Sequence, residues 1–239
     1  MEKNVAPVCA LITGASSGIG YACANWLAEH QCQNIIITGR TASSLEKACE
    51  SLRKINRDLS IVAFCCDHSS GDEVEQLLAA MASRNLTPDA VIANVGDNPV
   101  HRTGPRRTAA IAAELLRQTL ETNLVNAHRL LAGLLAGSLG RGGRIVLVGS
   151  QAYKYGVKGQ LPYNVSKAAL VGYKNTIVSE YAHKGVFCHL VNPGVVLNQR
   201  TEKLRRHLDS VAGVTEQQAA EAIGHTLMQT RNNGVELDI

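Results

Sequence analysis

The chain has 239 residues, of which 45% are hydrophobic and 18% charged, with 21 glycines and 6 prolines; this is ordinary globular usage and excludes a fibrous or disordered chain. Roughly 70–75% of the unfolded surface can be buried at this length, so a core needs neither disulfide nor metal. The net charge is +4, aromatics are 4%, and no basic tract exceeds the pairs Arg106-Arg107 and Arg205-Arg206, which excludes the dense basic stripe of a nucleic-acid binder and suits an anionic small molecule or cofactor.

Seven cysteines, an odd number without paired metal-type spacing, point to reduced thiols in a cytoplasmic protein. In Cys65-Cys66-Asp67-His68, neighbours on a strand point to opposite faces, which argues against a metal site. The residues from Met1 to Pro7 lack the apolar run of a secretory signal and no 18-residue apolar stretch follows, so no export and no membrane span are expected.

From Val8 to Thr13 an apolar run reads as a buried parallel strand, and it feeds into Gly14-Ala-Ser16-Ser17-Gly18-Ile19-Gly20 and a helical pattern through His30. Strand, glycine-rich turn and helix together form the setting of a dinucleotide site. The glycines let the backbone approach a pyrophosphate, and the helix start offers it free N–H groups and a positive dipole end. Further on, strands are expected at Asn34 to Arg40, Ser60 to Cys66 and Asp89 to Ala93, with helices at Ser44 to Ile55 and Gly71 to Arg84. The turn-rich segment Asp97 to Thr108 reads as a loop, either a substrate rim or a solvated connector. Ala109 to Leu135 has helical spacing, and the stretch Leu130 to Leu139, too short to span a bilayer, is expected to pack on the sheet or on another subunit. Strands at Arg144 to Gly149, Val186 to Val191 and Gly234 to Ile239, a helix over Thr215 to Gln229 and a basic flap over 198–213 complete the pattern.

Between the last elements, Tyr163-Asn-Val-Ser-Lys167 opens a helix. Residues i and i+4 share a helix face, so the Tyr163 hydroxyl and the Lys167 ammonium can point into one pocket. A cation favours the phenolate, so Lys167 is expected to lower the Tyr163 pKa and make the pair a proton donor and acceptor.

With the Thr13-Gly14-x-x-x-Gly18-x-Gly20 spacing ahead of Tyr163 and Lys167, the chain resembles the short-chain dehydrogenase/reductase family over essentially its whole length. The resemblance implies one α/β domain across 1–239, a doubly wound (Rossmann-type) parallel seven-stranded sheet with helices on both faces, and NADP(H) or NAD(H) as cofactor. It further implies that Gly14, Ser16, Ser17, Gly18, Ile19 and Gly20 hold the pyrophosphate, and that Asp67 hydrogen-bonds the adenine. Asn94 and Gly96 would lie beneath the cofactor, with Val95 where alanine is usual, and Pro193 and Gly194 beside the nicotinamide. Ser150, thirteen residues ahead of Tyr163, would polarise a substrate carbonyl with it. Lys167 would bind the ribose, and Asn123, which matches better than Asn126, would order a proton relay. Asn198 stands where the family places a threonine on the carboxamide.

At the end of the second strand an NAD enzyme of this fold needs a carboxylate for the ribose hydroxyls. This chain has Arg40 there, with Ser43 and Ser44 behind it and no acid before Glu46, which favours the 2′-phosphate of NADP(H). Ser17 departs from relatives with a second basic residue in the glycine turn, so the preference is expected to be moderate. The resulting expectation is an NADPH-dependent reductase of a ketone or 3-oxoacyl carbonyl, or the reverse dehydrogenase, acting on a small molecule as a homodimer or homotetramer. An NADP(H)-using epimerase or dehydratase and a non-catalytic NADP(H) sensor are the alternatives on the same fold.

Overall fold

The computed structural model describes residues 6–198, 201 and 213–239. Among these residues seven strands, β1 (Cys9–Ile12), β2 (Asn34–Gly39), β3 (Ser60–Cys65), β4 (Ala90–Ala93), β5 (Arg144–Val148), β6 (Phe187–Asn192) and β7 (Glu236–Asp238), form one sheet in the order β3-β2-β1-β4-β5-β6-β7. Every pairing is parallel, so successive strands are joined by crossovers rather than hairpins. The strand order reverses at β1, between β2 and β4. Ligands of doubly wound sheets bind outside the carboxyl ends of the strands at such a point.

Side chains alternate between the faces of a strand, and a sheet covered on both sides is apolar on both. Ala10, Ile12, Ile35, Ile37 and Ile92 point toward α1 (Gly18–Glu29), α2 (Ala42–Ile55) and α9 (Glu216–Leu227). Leu11, Ile36, Val91, Ile145 and Leu147 point toward α3 (Gly71–Ser83), α6 (Asn126–Ala136) and α8 (Leu161–Tyr181). Two glycines bring helices close together: a Cβ on Gly224 would lie 2.3 Å from the Trp26 ring, and one on Gly133 2.6 Å from Leu78. In the stretch expected to pack on the sheet, Leu130, Leu131, Leu134 and Leu139 are all buried in the second of these faces.

The helix expected from Ala109 to Leu135 is divided. A π turn over Glu121–Val125 separates α5 (Ala113–Leu120) from α6, and π turns inside helices are frequent at functional sites. The loop after β4 contains a short helix, α4 (Val100–Thr103), from which Arg102 grips Asp97 with two hydrogen bonds of 2.5 and 2.7 Å. The remaining short helix, α7 (Ala152–Tyr155), follows β5. Of the expected flap over 198–213, all but Asn198, Thr201 and Gly213 lies outside the described residues. All seven cysteines are free thiols, with Cys65 exposed and Cys66 buried as strand alternation requires. No described helix is long and apolar enough to cross a membrane.

Candidate active site

The glycine turn is built from both sides of β1. Gly14 and Gly18 have φ of +66° and +65°, the left-handed region open to glycine. A Cβ on Gly20 would lie 2.5 Å from the Gly14 carbonyl oxygen, so the third glycine is needed for α1 to start this close to the turn. Asn94, at the end of β4, donates from Nδ2 to the carbonyl of Thr13 at 2.9 Å, and its N–H donates to Thr13 Oγ1 at 2.9 Å; its side chain braces the turn from below. Ser16 packs against the end of β2, where a Cβ on Gly39 would lie 3.0 Å from Ser16 Oγ. Ser17 stands at the N-cap of α1 and is exposed, and its side chain makes no capping bond. The first N–H groups of α1, those of Gly18, Ile19 and Gly20, have no carbonyl within the helix to pair with, which fits a diphosphate.

Across the switch point, α8 begins with Leu161 and Pro162 and carries Tyr163, Ser166 and Lys167 on its second turn and just ahead of it. Lys167 is buried, donates from Nζ to the Val148 carbonyl at 2.7 Å, and lies 5.7 Å from the centre of the Tyr163 ring. A Cβ on Gly96 would sit 2.8 Å from that ammonium, so the glycine after β4 makes the space for it. Burial lowers the Lys167 pKa from 10.5 to about 8.

The expectation that Lys167 holds the Tyr163 phenol below its ordinary range is corrected here. Burial pushes the phenol up, against an opposing effect of hydrogen bonding with Ser150, because desolvation penalises the phenolate and the Lys167 ammonium is turned to a backbone carbonyl. Tyr163 is therefore a protonated donor at neutral pH, with the buried Ser150 as its neighbour.

Asn123 lies buried in the π turn. Its Oδ1 accepts from the Asp97 N–H at 2.6 Å, and its Nδ2 donates to the Asp97 carbonyl and to Ser166 Oγ, both at 2.9 Å. It thus ties the loop after β4 to the helix of Tyr163 and Lys167. Asn126 points elsewhere, donating to the His68 carbonyl at 3.0 Å.

At the other end of the cleft Arg40 is exposed at the end of β2, and no carboxylate occupies that turn. Asp67 follows β3, and its Oδ1 accepts from the N–H and the hydroxyl of Ser69, both at 2.9 Å. Burial raises its pKa, but these bonds and the Arg40 charge outweigh that and hold the carboxyl below its usual range.

The Pro193-Gly194 turn is held by a strand that sequence reasoning did not connect to it. The Gly194 N–H and Gln151 Nε2 both donate to the Ile239 carbonyl, at 2.8 and 2.9 Å, and the Gln151 N–H donates to the Pro193 carbonyl at 3.0 Å. Tyr153 donates to Glu236, and Lys154 to Asp238 at 2.7 Å. The available signal was the pair of acids two apart on a short strand, which share a face. Asn198 donates from Nδ2 to Glu216 at 3.1 Å and accepts from the Thr201 N–H at 3.1 Å, so its amide is turned toward the start of α9.

Residues 8–209 match the sequence model of the short chain dehydrogenases. The chain belongs to this family. This short-chain dehydrogenase is 32% identical over 217 residues to a putative ketoacyl reductase of Streptomyces coelicolor, covering 90% of this chain and 80% of that protein. It is 29% identical over 205 residues to the 3-oxoacyl-acyl-carrier-protein reductase of Vibrio cholerae, covering 84% and 78%. Among solved structures, the L-sorbose reductase of Gluconobacter frateurii complexed with NADPH and L-sorbose superimposes with a TM-score of 0.86 at 21% identity, over 100% of this chain and 97% of that one. A Burkholderia cenocepacia short chain dehydrogenase in complex with NADP gives 0.83 at 23%, over 96% and 95%. These likenesses establish the doubly wound fold. A short-chain dehydrogenase is an oxidoreductase that uses a nicotinamide dinucleotide.

Proposed function

We propose that this short-chain dehydrogenase reduces a ketone or 3-oxoacyl carbonyl with NADPH, or runs the reverse oxidation. The reading rests on a protonated Tyr163 beside Ser150, with a buried Lys167 behind them against Gly96 of the loop after β4, a loop whose Asn94 and Val95 pack on Gly14 of the glycine turn. When bound, NADPH supplies the hydride for the carbonyl carbon. Ser150 and Tyr163 donate hydrogen bonds to the carbonyl oxygen and so meet the charge that develops there. As the C=O π bond opens and a C–H bond forms, Tyr163 gives its proton to the oxygen. The phenolate left behind is stabilised by its hydrogen bond with Ser150, while Lys167 would hold the nicotinamide ribose. Asn123 holds the Asp97 loop and Ser166 in place around Lys167, and Arg40, exposed at the end of β2, would meet a 2′-phosphate with a permanently charged fork. The names of the Streptomyces and Vibrio relatives support a 3-oxoacyl substrate. The test is an absorbance screen of NADPH and NADH oxidation over ketones, quinones and 3-oxoacyl thioesters. Sustained NADPH consumption with one of these is expected; it would also argue against an epimerase or dehydratase that recycles its cofactor. Oxidation of neither cofactor by any of them, or a preference for NADH, overturns the reading.

A further inference from the structure

His68, between β3 and α3, is buried and takes no part in the chemistry above. Its Nε2 lies 2.8 Å from Thr38 Oγ1, and Thr38, fully buried in β2, accepts the backbone N–H of Gly14 at 3.1 Å through that same oxygen. The Thr38 carbonyl takes the next N–H, that of Ala15, at 2.8 Å. A hydroxyl has one proton to give. With Gly14 donating to one of its two lone pairs, Thr38 places that proton best by donating to His68 Nε2, the arrangement of a neutral ring protonated on Nδ1. Burial favours the neutral ring and lowers its pKa to about 4, and Asn126 fixes the main chain beneath it through the His68 carbonyl. A relay of buried hydrogen bonds therefore runs from the end of β3, through the end of β2, to the first glycine of the turn.

We propose that Thr38 and His68 are positioning residues for the dinucleotide diphosphate, setting the orientation of the Gly14 peptide and with it the N–H groups that follow. Held this way, the Gly14 N–H points back into β2 and the turn presents its later amides outward. Without the relay the Thr38 hydroxyl is free to rotate and the first peptide of the turn loses its fixed direction. The inference rests on the reading of the turn as a dinucleotide site.

The test compares two pairs of variants by calorimetric NADPH titration and by kinetics. Thr38→Val and His68→Leu keep bulk but break the relay, whereas Thr38→Ser and His68→Gln retain a hydroxyl and an acceptor. Each of the first pair should weaken NADPH binding about tenfold with kcat at saturating NADPH nearly unchanged. Each of the second pair should bind within roughly twofold of wild type, and the double variant Thr38→Val/His68→Leu should be no weaker than the worse single one. Equal affinity in all variants, or a fall in kcat at unchanged affinity, overturns the proposal. A wild-type protein that binds neither NADPH nor NADH removes the dinucleotide site itself along with it. Nitrogen NMR of His68 in the ligand-free wild type needs no variant to fold: an Nδ1-protonated ring is expected, and an Nε2-protonated ring overturns the relay.

Discussion

Replacing Lys167 by methionine should make the ligand-free protein more stable while removing its turnover. The residue is only 3% exposed, and desolvation lowers its pKa from 10.5 to about 8. Near neutral pH the lysine is charged in both folded and unfolded chains, so this fall is the cost of burying the charge, roughly 3 kcal/mol. Methionine is unbranched and of similar length and removes that cost. It also leaves the Val148 carbonyl without its 2.7 Å donor, a loss of about 1–2 kcal/mol. The net expectation is a gain of about 1–2 kcal/mol near neutral pH. The folded pKa is the depressed one, so between about 8 and 10.5 the unfolded chain holds more protons than the folded chain. Wild-type stability therefore rises with pH across that window, and the advantage of Lys167→Met shrinks across it. Urea unfolding followed by circular dichroism, near neutrality and near the top of that window, measures both effects. A variant less stable than wild type near neutrality, by a margin that stays constant toward alkaline pH, would refute the reasoning.

Tyr163→Phe should cut turnover by about 10²–10⁴-fold while leaving NADPH affinity nearly unchanged; near wild-type reduction would remove Tyr163 as the acid. Arg40→Asp should weaken NADPH binding at least about tenfold and narrow or invert the preference over NADH, as competition titrations with both cofactors would report. Gly20→Ala forces a Cβ to within 2.5 Å of the Gly14 carbonyl oxygen and should cost about 1–3 kcal/mol in unfolding free energy together with NADPH binding. At the exposed Gly172 of α8 a Cβ meets nothing within 4 Å, so Gly172→Ala should instead stabilise by about 0.5–1 kcal/mol; a stabilised Gly20→Ala would contradict the close approach.

The strands were legible because a sheet covered on both faces needs unbroken apolar runs, and Leu11 and Ile12 are both buried although they point to opposite faces. The glycine turn was legible because positive φ and close approach leave few other residues possible. The π turn was not, since Glu121-Thr-Asn-Leu-Val has ordinary helical composition and the bulge exists to bring Asn123 onto Asp97 and Ser166. Neither was the sign of the Tyr163 shift: the sequence names the cation, but the direction follows from desolvation and from where the lysine points. The Thr38–His68 contact depends on β2 and β3 pairing with Gly39 opposite Cys65, a register that the sequence alone does not reveal.

β7 is only three residues long and lies at the outer edge of the sheet, yet the segment after Ser150 and the Pro193-Gly194 turn are both tethered to it or to the residue that follows it. An edge this short opens at far lower free energy than the sheet as a whole. Its release would separate Ser150 from the nicotinamide side and leave the glycine turn, at the other half of the sheet, intact. Mild denaturant should therefore silence the chemistry while dinucleotide binding persists, giving a protein that still captures its cofactor but no longer turns it over.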